Sequence, residues 1–195
     1  MTMTPRVRKF ALSLHIILSV GWIGAVAGYI TLDVAATTST DAETLRAAYL
    51  AMDLTSGRAI VPLAVGSLVT GLVMSLGTKW GLFRHYWVLI SLILTVLATL
   101  VLLSEIRTIS YFADLAADPA TPTEDLRALR GTLPHSVGGI VVLLTISVLN
   151  TYKPPGMTPY GWRKQTEQRR KAQEQREGAE RVQTVAMKGH RRTSR

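Results

Sequence analysis

The sequence predicts an all-α membrane protein: a four-transmembrane-helix bundle with short extracytoplasmic amphipathic helices and a basic C-terminal tail. Three observations carry that prediction. Four apolar runs, Phe10–Leu32, Ala59–Leu76, Tyr86–Ile106 and Leu133–Thr151, lie near or above the roughly 20 residues a helix needs to cross a hydrocarbon core about 30 Å thick. These runs are apolar on all sides, which suits lipid better than the one-striped pattern of a water-exposed bundle. The basic residues are segregated: from Lys153 onward twelve Lys or Arg stand against four Glu, so the tail carries +8 of the chain's +9. The predicted organisation is a membrane domain over residues 1–153 and a tail over 154–195 that is disordered or loosely helical, having no apolar face to bury. The absence of cysteine excludes disulfides, iron–sulfur clusters and thiolate metal sites.

The first run opens directly after Arg6, Arg8 and Lys9 and continues past the small-residue stretch Ala25-Val26-Ala27 into Tyr29-Ile30, which reads as an uncleaved signal-anchor. At about 100° per residue, His15, Ser19, Trp22, Val26, Tyr29 and Asp33 fall in one arc. Gly21, Gly24 and Gly28 lie roughly opposite, with Ala25 beside them. Gly24-x-x-x-Gly28 and Gly21-x-x-x-Ala25 are small-xxx-small pairs that let another helix backbone approach closely, so this face is predicted to pack a neighbour.

Residues 33–58 form an outer loop. Thr40-x-x-Glu43 reads as a capping box and Gly57 as a helix stop, and Leu45, Tyr49 and Met52 share a face between them. A short amphipathic helix lying on the bilayer or over the bundle is expected there. The second span takes Pro62 in its first turn, where the missing N–H costs little. Ser67, Gly71 and Ser75 give it a small packing face at intervals of four. The turn Gly77–His85 is basic and aromatic, as suits an interface. In the third span Trp87, Ser91, Thr95, Ala98, Leu102 and Glu105 share a face, the expected partner of the His15 stripe. The second long loop holds another capping box, Thr121-Pro122-Thr123-Glu124, with Gly131 as the stop. The fourth span opens with Pro134-His135, and Lys153-Pro154-Pro155-Gly156 closes it.

Lys and Arg crowd the N-terminus, the short middle turn and the tail, whereas both long loops are acidic on balance. The positive-inside rule then predicts a multi-pass membrane protein with both termini in the cytoplasm. Arg163, Lys164, Arg169, Arg170 and Lys171 follow the last span and are expected to contact anionic lipid. Interspersed Glu residues and the lack of aromatics after Trp162 argue against a nucleic-acid site. A homo-oligomer or another membrane protein is a further expected partner, through helix packing.

His15 is the ionisable side chain set well inside an apolar run, which makes it a functional candidate. His85 stands at the membrane edge and His135 at the opposite one. Imidazole is a suitable axial ligand for haem, so His15 and His85 are the candidate haem-binding residues. Their heights differ by about 7–8 Å on the helix ruler, which favours a single-histidine site over a clamp. Copper(I) prefers thiolates and thioethers, and the spans offer Met74 alone.

Leu14-His15 followed by Trp22-Ile23-Gly24 has the pattern Leu-His-x6-Trp-x-Gly, and the third helix opens Trp87-Val88-Leu89-Ile90-Ser91-Leu92. Together these resemble the broad group of bacterial membrane proteins that includes the copper-resistance D family and HemJ-type protoporphyrinogen oxidases. The stretch from Thr70-Gly71 to Trp87, with Thr78-Lys79-Trp80-Gly81-Leu82, is more similar still to an uncharacterised bacterial family of small integral membrane proteins, carried as a domain of unknown function. The resemblance covers about residues 8–153 and not the tail. It implies a link to haem b through His15. HemJ-type proteins carry a lysine on the third helix, and Ser91 stands at that position. The expected function is a non-enzymatic accessory or small-ligand-binding membrane protein. The alternatives are a haem-linked redox protein centred on His15 and a copper-resistance-type transport protein.

Overall fold

A computed structural model describes residues 3–77, 81–129 and 131–193, with side chains described through residue 180. The chain is all-helical in outline. Its helices are α1 (Pro5–Thr38), α2 (Ala42–Thr55), α3 (Val61–Gly77), α4 (Tyr86–Ala117), α5 (Thr123–Ala128), α6 (Leu133–Tyr152) and α7 (Pro159–Thr193). Four helical segments are long and apolar enough to cross a membrane: α1, the continuous stretch Ala42–Gly77, α4 and α6. α1 packs on α3, α3 on α4, α4 on α6 and α6 back on α1, so consecutive spans are neighbours and the ring closes. Thr78, Lys79 and Trp80 of the middle turn lie outside the described residues.

Several elements depart from the sequence-based expectation, each for a local reason. The first outer helix is capped by Asp41 rather than Thr40: its carboxylate accepts from the Thr44 N–H at 2.8 Å and the Thr44 hydroxyl at 2.7 Å. A carboxylate makes a stronger N-cap contact than a hydroxyl would. Gly57 does not stop that helix. It lies in a single π-helical turn, Ser56–Ile60, through which α2 runs on into α3. Pro62 has no N–H to give the preceding turn, and the wide turn beside it accommodates this, the Val61 N–H reaching back to the Ser56 carbonyl. α2 therefore runs on into the second span and packs against α1 and α4, over the bundle rather than on the bilayer surface. α4 likewise runs on past Ile106 to Ala117. α5 has no side-chain cap and ends at Leu129, before Gly131.

These extensions build a cap outside the spans. The best-buried apolar side chains are there: Leu45, Met52 and Leu126 are fully buried and Tyr49 is 1% exposed. In the 18-residue windows of the spans, by contrast, no more than 17% of residues are buried. Water drives apolar groups together in the cap, while lipid tails give the spans no such drive. Arg46 of α2 ties the cap together, donating from Nη1 to the carbonyls of Ala116 and Asp118 at 2.8 Å each and from Nη2 to that of Thr121 at 2.5 Å. It thereby satisfies carbonyls at the C-terminal end of α4, which have no helical partner.

The opposite end collects the basic segments. The Met3 N–H donates to the Gly77 carbonyl at 3.2 Å, and the Thr158 N–H to that of Arg84 at 3.0 Å. His85 and Met157 form an isolated antiparallel bridge. Lys153 leaves α6 in the left-handed region, φ 46°, which turns the chain before the two prolines. The tail is helical over Pro159–Thr193. Near its start Gly161 sits against the backbone of Arg84, and the Arg84 Nη2 donates to the Gln168 Oε1 at 3.0 Å.

Candidate functional site

In the half of the bundle nearer the basic segments, α1 meets α3 through polar side chains. The His15 Nδ1 lies 3.0 Å from the Thr70 Oγ1, and the Ser19 and Ser67 hydroxyls are 2.7 Å apart. Thr70 directs its own proton to the Gly66 carbonyl, 2.7 Å away, so the imidazole Nδ1–H is the donor of the pair. Gly71 makes room for the ring: a Cβ there would stand 3.1 Å from the His15 Cε1. The lower part of the His15 stripe thus meets α3, not α4. Ser67 and Ser75 are buried on the α3 face. Gly21 meets Leu63, its added Cβ lying 3.2 Å from a Leu63 methyl.

Gly24 and Gly28 differ from Gly21. A Cβ at either would meet nothing within 4 Å among the described residues, so no described helix of this chain packs against them. The bulky stripe of α1 turns inward instead, with Trp22, Val26, Tyr29 and Asp33 all buried.

The upper part of that stripe builds the more elaborate site. α1 runs beyond its apolar stretch and carries Asp33, fully buried, against the start of α6. The Tyr29 and Thr132 hydroxyls are 2.7 Å apart, and Thr132 donates to the Asp33 Oδ2 at 2.9 Å. Since Thr132 has one proton, Tyr29 donates to Thr132 and Thr132 to Asp33. The Ser136 hydroxyl lies 3.1 Å from the same Asp33 oxygen. The other oxygen, Oδ1, has no hydrogen-bond partner among the described residues. It lies against Gly131, where a Cβ would come within 2.6 Å of it, so only glycine lets the loop close over Asp33.

Tyr29, Thr132 and Ser136 form one wall of a cavity of about 380 Å³ between α1, α4 and α6. Trp22, Val26, Leu97, Val101, Ile109 and Leu143 are among its apolar lining. Ser56 and Ile60 of the π turn also reach it, so the wide turn contributes to its shape. At its rim Glu105 of α4 faces His135 of α6, the His135 Nε2 lying 3.7 Å from the Glu105 Oε1. The Glu105 side chain is 22% exposed and that of His135 56%.

His15 and His85 are not brought to this cavity. His85 precedes α4, its ring centroid 6.4 Å from that of Trp87. Among the described residues no group of three or more His, Asp or Glu is placed to hold a metal ion. The His15 Nδ1 is engaged with Thr70, and the ring lies against Gly71. The tail cations Arg163, Lys164, Arg169, Arg170 and Lys171 lie on the exposed part of α7, where Arg170 pairs with Glu174 and Lys171 with Glu167.

Asp33 and Glu105 were legible as members of their stripes. What sequence reasoning missed was their meeting with Thr132, His135 and Ser136. The signal was a carboxylate at the far end of each apolar run, opposite a fourth span that opens with hydroxyls and histidine. Comparison with known protein families, curated proteins and solved structures finds no match.

Proposed function

We propose that this chain is a non-enzymatic, multi-pass membrane protein that binds a small amphipathic ligand between α1, α4 and α6. The observation that supports this most directly is the cavity of about 380 Å³, apolar over most of its lining and polar at one rim. Its size and chemistry are those of small-molecule sites, which are largely apolar with a few placed polar groups. The hydroxyls of Tyr29 and Thr132 are engaged in a chain that ends on Asp33, which suits recognition of a polar head better than proton transfer.

In this reading the basic end faces the cytoplasm of a bacterial cell and the cavity opens toward the outer side of the cytoplasmic membrane. The support is the gathering of the N-terminal cations, Arg84 and the start of the tail at one end of the bundle, with the acidic loops at the other. The exposed cations of α7 contact anionic lipid of the inner leaflet. In nanodiscs, anionic lipid should then protect α7 from trypsin, with protection fading as salt rises; equal cleavage in neutral and anionic discs would remove this contact from the picture.

The test of the ligand reading is extraction. Protein purified in mild detergent should retain one amphipathic species in near-stoichiometric amount, identified by mass spectrometry. Ala98 lines the cavity, so Ala98→Phe should fill it and abolish retention. Equal retention by the wild type and by a folded Ala98→Phe variant would refute the assignment.

A further inference from the structure

We propose that the ligand of this cavity is a lipophilic cation, an amine or quaternary ammonium on an apolar body, with Glu105 as its counter-ion. This rests on the ligand-binding reading above and adds the charge of the ligand to it.

Charge at the cavity is one-sided. Among the described residues, its ionisable lining besides Tyr29 is Glu105 and His135, and no Lys or Arg reaches it. The separation of 3.7 Å between His135 and Glu105 is longer than a hydrogen bond, so the imidazole does not close over the carboxylate. His135 is also the more exposed of the two, its side chain 56% exposed against 22% for Glu105. Behind Thr132 and Ser136 stands Asp33, fully buried, with one oxygen unpartnered. It backs that wall and does not itself line the cavity. Among the described arginines of the cap, Arg46 is directed to three backbone carbonyls and Arg127 to Glu124 and the Thr40 carbonyl.

A pocket walled by low-dielectric side chains focuses such a field. An anionic head would face Glu105 with like charge. A neutral head could give Glu105 a hydrogen bond but no counter-charge. A cationic head answers both, and the Trp22 and Tyr29 rings on the same lining favour a cation over an anion.

Three probes of one chain length decide this: ω-bromodecyl chains ending in trimethylammonium, hydroxyl or sulfate. Bromine quenches the fluorescence of Trp22, and Trp22→Phe supplies the background from the other tryptophans. With the protein in neutral detergent, the ammonium should bind on the order of tenfold more tightly than the alcohol, and the sulfate more weakly than either. Glu105→Gln should bring the ammonium-to-alcohol ratio toward one. His135→Arg, which gives Glu105 a permanent partner, should do the same, so a Glu105→Gln protein that does not fold leaves the test intact. If alcohol and ammonium bind alike in the wild type, or the ratio survives in folded variants, the cation assignment is overturned while ligand binding stands. If no probe quenches Trp22, both fall.

Discussion

Asp33 shows how one residue can hold a helix end in place. It accepts from Thr132 on the far side of the bundle, and the Ser136 hydroxyl lies 3.1 Å both from the same oxygen and from the Leu133 carbonyl. Removing the carboxylate takes the acceptor from the Thr132 hydroxyl, while Ser136 keeps the Leu133 carbonyl, so Asp33→Ala should lower stability by about 1–3 kcal/mol. Asp33→Asn keeps an acceptor and should cost less. Unfolding in denaturing detergent measures both, and an unchanged midpoint for Asp33→Ala would show that the network contributes nothing to stability. Asp41 gives a pH-dependent counterpart at the surface. Hydrogen bonds from the Thr44 hydroxyl and N–H hold its carboxyl below the usual range. A depressed folded value means that the cap stabilises α2 above the unfolded pKa of about 3.9 and is lost as pH falls through the folded value. Amide-exchange protection at Thr44 should therefore drop in acid, and Asp41→Ala should be low and flat across the same range.

At the scale of helices, the decisive matter is which face of α1 turns inward. Gly24 and Gly28 look outward, whereas Gly66 and Gly71 of α3 meet Leu18 and His15, with an added Cβ at 3.1 Å from each. A leucine at Gly66 or Gly71 must displace its neighbour and should cost about 1–3 kcal/mol. A leucine at Gly24 or Gly28 should leave the thermal midpoint in detergent unchanged. Equal destabilisation by both pairs would mean that the outward face packs a partner in solution. The π turn between α2 and α3 belongs to the same scale. Pro62 removes one helical hydrogen bond, and the adjoining wide turn joins two helices into one stretch while Ser56 and Ile60 reach the cavity.

For the whole molecule, charge and geometry point the same way. A reporter enzyme active only in the cytoplasm should work when fused after Lys153 and fail when placed within Asp114–Gly131. The reverse pattern would overturn the threading proposed here, and with it the outward-facing cavity. The molecule is also layered, with sparsely buried spans below a densely packed cap. Heating in detergent should therefore loosen the spans before the cap, and exchange at Leu45–Met52 should persist longest. Early loss of protection there would contradict the layering.

By itself the sequence determined the all-helical class, the four apolar segments and the separation of charge, because those depend on composition and periodicity along single stretches of chain. It also placed Trp22, Val26, Tyr29 and Asp33 on one arc, which is a property of the α-helix alone. It could not say which arc faces inward. Small residues and bulky ones both make good helix interfaces, and the choice depends on how much space the ring leaves at its centre. Caps moved by one residue, and Gly57 failed to stop its helix, because tertiary packing of Leu45, Tyr49 and Met52 outweighs a local stop signal. The candidate site required the tertiary structure altogether. Asp33 and Thr132 are 99 residues apart in sequence, and only the closing of α6 onto α1 brings them together. That closure sets Asp33 behind the Thr132 and Ser136 wall of a cavity that Glu105 lines.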